Sequence, residues 1–93
     1  MGSSVAEFQP LAHDVRVSED ELVVFLSDGR TVSAPIVWYP RLLDATPAQR
    51  SNWRLVGDGI GIHWPDVDED VSVEGLLKGV PSVEYRRVSS RGA

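Results

Sequence analysis

Apolar and polar residues alternate, then cluster, then alternate again along this chain, and each change of pattern marks an element. His13-Asp14-Val15-Arg16-Val17-Ser18 alternates polar and apolar positions, the signature of a short strand with one buried face. Glu19-Asp20-Glu21 is a polar turn, and Leu22-Val23-Val24-Phe25-Leu26 is apolar on both faces, which predicts a central strand. Asp28-Gly29 follows within Ser27-Asp28-Gly29-Arg30, and Asp-Gly between two such runs is a strong hairpin signal because both residues tolerate positive φ. Thr31-Val32-Ser33-Ala34-Pro35-Ile36 alternates again, with Val32, Ala34 and Ile36 on one face. Pro35 has no N–H to give to a ladder, so it marks an edge or the end of pairing. The first third is thus predicted to be a three-stranded antiparallel meander.

The period then changes. Trp38-Tyr39-Pro40-Arg41-Leu42-Leu43-Asp44 has the pattern of one or two helical turns, with Pro40 in the first turn where a missing N–H costs nothing. Thr46-Pro47-Ala48-Gln49 is a capping box with proline at the first helical position, predicting a helix over about 47–53 that carries Arg50 and Trp53. Leu42, Leu43 and Trp53 would then cover the meander. Arg54-Leu55-Val56, Gly57-Asp58-Gly59 and Ile60-Gly61-Ile62-His63-Trp64 predict a second hairpin, with Ile60, Ile62 and Trp64 sharing one face and Pro65 ending the strand. Residues 66–70 form an acidic loop. Ser72 caps a short helix over 73–78, with Glu74 at its positive end, Lys78 at its negative end and Gly79 after it. Val83-Glu84-Tyr85 has the composition of a short strand. The resulting class is α+β: an antiparallel meander plus a second hairpin, with a central helical segment and a short C-terminal helix. Residues 1–10 read as a loose N-terminal segment, 11–80 as a single domain and 81–93 as a tail.

Composition narrows the function classes. The 93 residues, 42% hydrophobic and 25% charged, fit one globular domain with a modest core. No apolar run nears the roughly 20 residues of a membrane span, and the opening residues lack the basic and apolar regions of a signal peptide. The absence of cysteine excludes disulfides and thiolate chemistry and fits a reducing, cytoplasmic setting. The net charge is -5, and it is unevenly spread. Between Leu55 and Leu77 stand Asp58, Asp66, Asp68, Glu69, Asp70 and Glu74 with no lysine or arginine, whereas Arg86, Arg87 and Arg91 cluster near the end. An acidic face repels phosphate and favours a basic partner; the plainer reading is a solvated surface.

No catalytic centre emerges. The only histidines are His13 and His63, and no G-x-S-x-G elbow accompanies them, so no enzyme activity is expected. Asp66, Asp68 and Asp70 resemble the opening of a calcium loop, but Val71 stands where that loop turns on glycine and Leu77 where its bidentate glutamate belongs. Neither a metal nor a cofactor is expected. The glycines at 57, 59 and 61 precede strand residues and contain no lysine, which excludes a phosphate loop. Direct nucleic-acid binding is not expected from three arginines without a helix-turn-helix. Trp38, Trp53 and Trp64 serve as core, the ordinary role of tryptophan in a thin domain, or Trp38 and Trp64 form part of an exposed anchor. Tyr39 and Arg41 beside Trp38 make residues 38–41 the better candidate for such an anchor. The candidate partner-binding residues are therefore Trp38, Tyr39, Arg41, Asp66, Asp68, Glu69 and Asp70.

The stretches Asp14-Val15-Arg16-Val17, Leu26-Ser27-Asp28-Gly29-Arg30, Trp38-Tyr39-Pro40-Arg41-Leu42 and Arg50-Ser51-Asn52-Trp53 are similar to those of the bacterial domain-of-unknown-function family 2442. Ile62-His63-Trp64-Pro65 and Asp68-Glu69-Asp70-Val71-Ser72-Val73-Glu74-Gly75-Leu76-Leu77 are the most specific part of a resemblance that covers residues 12–80. It implies a small α+β domain with no established activity. Genes of this kind often lie beside that of another small protein, and the pair has been proposed as a toxin–antitoxin module. The resemblance thus implies a non-enzymatic protein-binding role, antitoxin-like, towards a small neighbouring protein, which the acidic face predicts to be basic, and transfers no catalytic residue. A regulatory or small-ligand domain using a pocket between helix and sheet is the alternative, and self-association stays open.

Overall fold

The computed structural model describes residues 10–86, which form two small antiparallel sheets joined by short helices. Strands β1 (Ala12–Val17), β2 (Glu21–Leu26) and β3 (Thr31–Pro35) make the first sheet in the order β1-β2-β3. The central place of β2 follows from its side chains: Leu22, Val24 and Leu26 point into the core, and Val23 and Phe25 are still half-buried on the other face. Arg16 lies 5.5 Å from the Phe25 ring centroid and covers that outer face with its charged end in water. The Asp28 carboxylate accepts from the Arg30 amide at 3.0 Å and its Nε at 2.8 Å, which closes the β2–β3 turn. These bonds hold the Asp28 carboxyl below its usual range. β3 ends on Pro35, as a residue without an N–H dictates.

A 3-10 turn at Ile36–Trp38 leads into α1 (Pro40–Leu43), and α2 (Pro47–Ser51) follows. Both begin on proline, and α2 carries the full capping box: Thr46 Oγ1 accepts from the Gln49 amide at 3.1 Å, and Gln49 Oε1 accepts from the Thr46 amide at 3.0 Å. Thr46→Ala removes one of these bonds and is expected to cost about 1 kcal/mol, measured by urea unfolding. An unchanged midpoint would mean that packing alone sets the helix start.

Helix α2 is shorter than the sequence suggests. It ends at Ser51, so Arg50 lies on it and Trp53 does not. Ser51 and Asn52 favour local side-chain bonding over helix, and the Asn52 amide donates to the Asp66 carboxylate at 3.0 Å. Trp53 leaves the helix to pack, half-buried, against the core. Leu42 is fully buried, whereas Leu43, expected to join it, is 39% exposed, because a four-residue helix offers only one inward face.

The second sheet has three strands where the sequence predicted two. β4 (Arg54–Val56), β5 (Gly61–Trp64) and β6 (Glu69–Ser72) pair in that order. The expected loop over 66–70 is thus only a turn at 65–68; Glu69 and Asp70 belong to β6, opposite Trp64 and His63. The alternation that defines β6 was hidden because one of its two inward positions is a carboxylate, Glu69, and the other is Val71. The β4–β5 connection also differs. Gly57, Asp58 and Gly59 all have positive φ and wind a 3-10 turn that absorbs Ile60. Ile60 therefore leaves the face of Ile62 and Trp64 and stands half-exposed. At Gly59 a Cβ would sit 2.5 Å from the Ala12 carbonyl oxygen, so only glycine lets this turn lie against the start of β1.

Helix α3 (Val73–Lys78) starts where β6 ends: Ser72 is the last strand residue and also the cap, its hydroxyl accepting from the Gly75 amide at 2.9 Å. Gly79 ends the helix in the left-handed conformation. Residues 83–86 form a helical turn, not the strand their composition suggested; the Ser82 hydroxyl accepts from the Tyr85 amide and starts that turn. One core unites all layers: the inner face of the first sheet, Ile36, Tyr39 and Leu42, then Ile62, Trp64, Val71, Val73 and Leu76. Residues 1–9, within the expected loose segment, and Arg87 and Arg91 of the basic tail lie outside the described residues. Among the described residues no helix is long and apolar enough to cross a membrane.

Candidate functional site

Trp64 and Arg50 define what is structural near the site. Trp64 is fully buried at an inward position of β5, and its indole N–H donates to the Arg50 carbonyl at 3.0 Å. The Arg50 guanidinium donates to the carbonyls of Leu42 and Leu43, both at 2.9 Å, and so satisfies the open end of α1. This arginine is nearly buried, and its role was not legible in the sequence beyond its place on α2.

The two candidate segments, 38–41 and 66–70, meet through Arg41. From the first turn of α1 its guanidinium donates to the Asp68 carbonyl at 2.6 Å, lies 3.7 Å from the Asp68 carboxylate and forms an ion pair with Glu84 at 2.7 Å. Asp68 has φ 54, a left-handed conformation that aspartate tolerates better than most residues, and this twist turns its carbonyl towards Arg41. The Trp38 carbonyl accepts from the Ser82 amide at 3.2 Å and holds the 80–86 segment against the same side. Between Tyr39, Arg41, β6, α3 and that segment lies a pocket of about 360 Å³.

Four of the seven candidate residues, Tyr39, Arg41, Glu69 and Asp70, line this pocket. Asp68 is fastened to its edge by Arg41. Trp38 and Asp66 do not line it: Trp38 packs half-buried on the core, and Asp66 turns to Asn52. Asp70 pairs with His63 at 2.8 Å across the β5–β6 ladder. The acids thus face three different partners, and among the described residues no three His, Asp or Glu side chains converge to hold a metal ion. Glu84, Ser82 and Arg86, which complete the wall, were missed, because nothing in the tail's sequence signals that it folds back.

Glu69 is the unusual member. It is 5% exposed, and no hydrogen bond or ion pair among the described residues reaches its carboxylate. No enclosed polar side-chain atom among those residues lacks a partner, so its oxygens open on the pocket. Burial raises its pKa to about 7; Glu84 adds to the rise, Arg41 opposes it, and Asp70 and Asp68 add smaller pushes. The buried Tyr39 is raised to about 12, first by desolvation and then by the charge of Glu69. A carboxyl poised near neutrality can hold a proton or exchange it for a bound cation.

The fold and this pocket define a class: a small α+β domain of two three-stranded sheets with an acidic pocket beside the second. Residues 12–82 match the family described as Protein of unknown function (DUF2442), and the chain belongs to that family. A crystal structure of a protein of unknown function from Rhodospirillum rubrum is similar, with 28% identity and a TM-score of 0.71 over 82% of this chain and 94% of that one. The solution NMR structure of an uncharacterised protein from Chromobacterium violaceum is similar too, with 25% identity and a TM-score of 0.69 over 95% of this chain and 83% of that one. No curated protein matches the chain.

Proposed function

We propose that this protein is a non-enzymatic binding module whose partner is another small, basic protein. The role is antitoxin-like in the sense that the family resemblance implies, in the cytoplasm of a bacterium. The observation that supports this reading is the junction at Arg41, which joins residues 38–41 to the acidic turn in one face. In and beside that turn Asp66, Asp68 and Asp70 are all exposed. Crowded exposed carboxylates repel one another, and a basic partner relieves that repulsion and gains association rate from long-range attraction. A stoichiometric basic protein recovered from the native host identifies the partner. The test of the face is the triple change of Asp66, Asp68 and Asp70 to asparagine. Asparagine suits the left-handed position at 68, and exposed ion pairs contribute only about 0.2–1 kcal/mol, so the fold is expected to persist. Stopped-flow association should slow several-fold and lose salt dependence. An unchanged rate and salt slope would reduce the turn to a solvated surface.

The pocket favours a second reading, a regulatory or small-ligand domain. Its volume falls in the range of about 300–1,000 Å³ typical of ligand clefts. A small molecule that co-purifies with the protein in stoichiometric amount would support it over the first.

A further inference from the structure

The pocket beside β6 holds a carboxylate with nothing to pair with. Arg41 already engages Glu84 and Asp68, and Asp70 engages His63. Arg86 also lines the pocket, and no ion pair links it to Glu69. The charges that bear most on Glu69 are three acids and one arginine. What this carboxylate lacks is a cation of its own. Glu69 reaches it from an inward strand position, and the buried side chain of Tyr39 lines the same space. Leu76, Val71 and Val80 supply apolar wall for an aliphatic stem.

We propose that this pocket receives a lysine side chain of the basic partner, its ammonium seated on the Glu69 carboxylate and its methylene stem along Val71, Leu76 and Val80. Lysine suits the geometry better than arginine. The acceptor is a single recessed carboxylate rather than a flat surface for a guanidinium fork, and a compact ammonium with three donors can use the Tyr39 hydroxyl oxygen as a second acceptor. A cation on Glu69 favours its ionised form, so seating the lysine releases a proton near neutral pH. The inference rests on the basic partner proposed above and adds its anchor.

The test uses the isolated full chain and a lysine capped at both ends as acetyl and N-methylamide, so that the ammonium is its only charge. Amide NMR at pH 7 is expected to show saturable shifts at Val71, Gly75 and Ser82. Calorimetry in buffers of different ionisation enthalpy should show proton release. Capped norleucine, which keeps the stem without the charge, should bind at least ten-fold more weakly. Glu69→Gln should abolish both the shifts and the proton release while its remaining amide spectrum stays in place. Equal binding of capped norleucine, or undiminished binding to Glu69→Gln, overturns the proposal, and so does the absence of any shift at saturating capped lysine. The acidic turn and the pocket fail separately: the triple asparagine variant keeps Glu69, and the capped lysine needs no partner. A null result with capped lysine beside a slowed triple variant removes the anchor and leaves the electrostatic face.

Discussion

Trp64→Ala is expected to lower stability by about 3–5 kcal/mol, enough to leave much of the chain unfolded at 37 °C if the total is about 5 kcal/mol, the low end of the usual range. Three losses coincide. The largest fully buried side chain disappears from the contact between the second sheet and the rest of the core. Its indole no longer donates to the Arg50 carbonyl. The resulting cavity also loosens the packing around Arg50, whose guanidinium closes α1. Trp64→Phe separates these effects: it keeps most of the ring and drops the hydrogen bond, so its cost should be about 1–2 kcal/mol. Urea unfolding monitored by circular dichroism measures both. A melting temperature for Trp64→Ala equal to that of the unchanged protein would make the ring's burial irrelevant and return Trp64 to the interface candidates.

The second large effect is a fall in stability as the pH rises through neutrality. The titratable and charged groups around Glu69 are Glu84 and Arg86 from the 83–86 turn, Asp68 and Asp70 on its own stretch, and Arg41 and Tyr39 around α1. Their balance, with burial dominant, raises its pKa from 4.5 to about 7. The folded protein then holds a proton that the unfolded chain gives up, so the Glu69 contribution is complete below about pH 4.5 and is lost as pH rises through about 7. The shift corresponds to about 3 kcal/mol at most, and water in the open pocket reduces this. Asp28 acts in the opposite direction, but below this window, since its pKa is lowered. Glu69→Gln mimics the protonated carboxyl. It should match the unchanged protein near pH 4 and exceed it in stability at pH 8, in urea titrations at each pH. Parallel stability curves for the two proteins across that range would rule out Glu69 as the source.

Local chemistry explains how much of this was legible in advance. The capping box at Thr46–Gln49, the Asp28-Gly29 turn and the Ser72 cap each place their bonding groups within a few residues, so their pattern survives in the sequence. Alternation in β1 and β3 and the apolar run of β2 were equally plain because their inward positions are apolar. β6 was not, because its inward Glu69 reads as a surface residue unless the pocket is known. The site followed the same rule. Tyr39, Arg41, Glu69 and Asp70 were singled out for side-chain type, yet what brings the segments together is a bond between Arg41 and a backbone carbonyl 27 residues away. Main-chain oxygens leave no trace in composition. Glu84 and Arg86 depend on the tail folding back, which rests on the Ser82 amide bond to the Trp38 carbonyl and the Arg41–Glu84 ion pair, neither marked by any local pattern.

Gly59 against the Ala12 carbonyl bears on the order in which the molecule assembles. Each sheet is a meander of neighbouring strands, so each can close through short loops at little entropic cost. The seam at Gly59 joins the start of the first sheet to a turn of the second, far apart in sequence, so it closes a longer loop than any strand pairing does. Docking of the two halves is therefore expected to come late in folding. A side chain forced into that seam would hasten unfolding while leaving the folding rate almost untouched. The persistence of the folded state in time is then expected to depend on a position that carries no side chain.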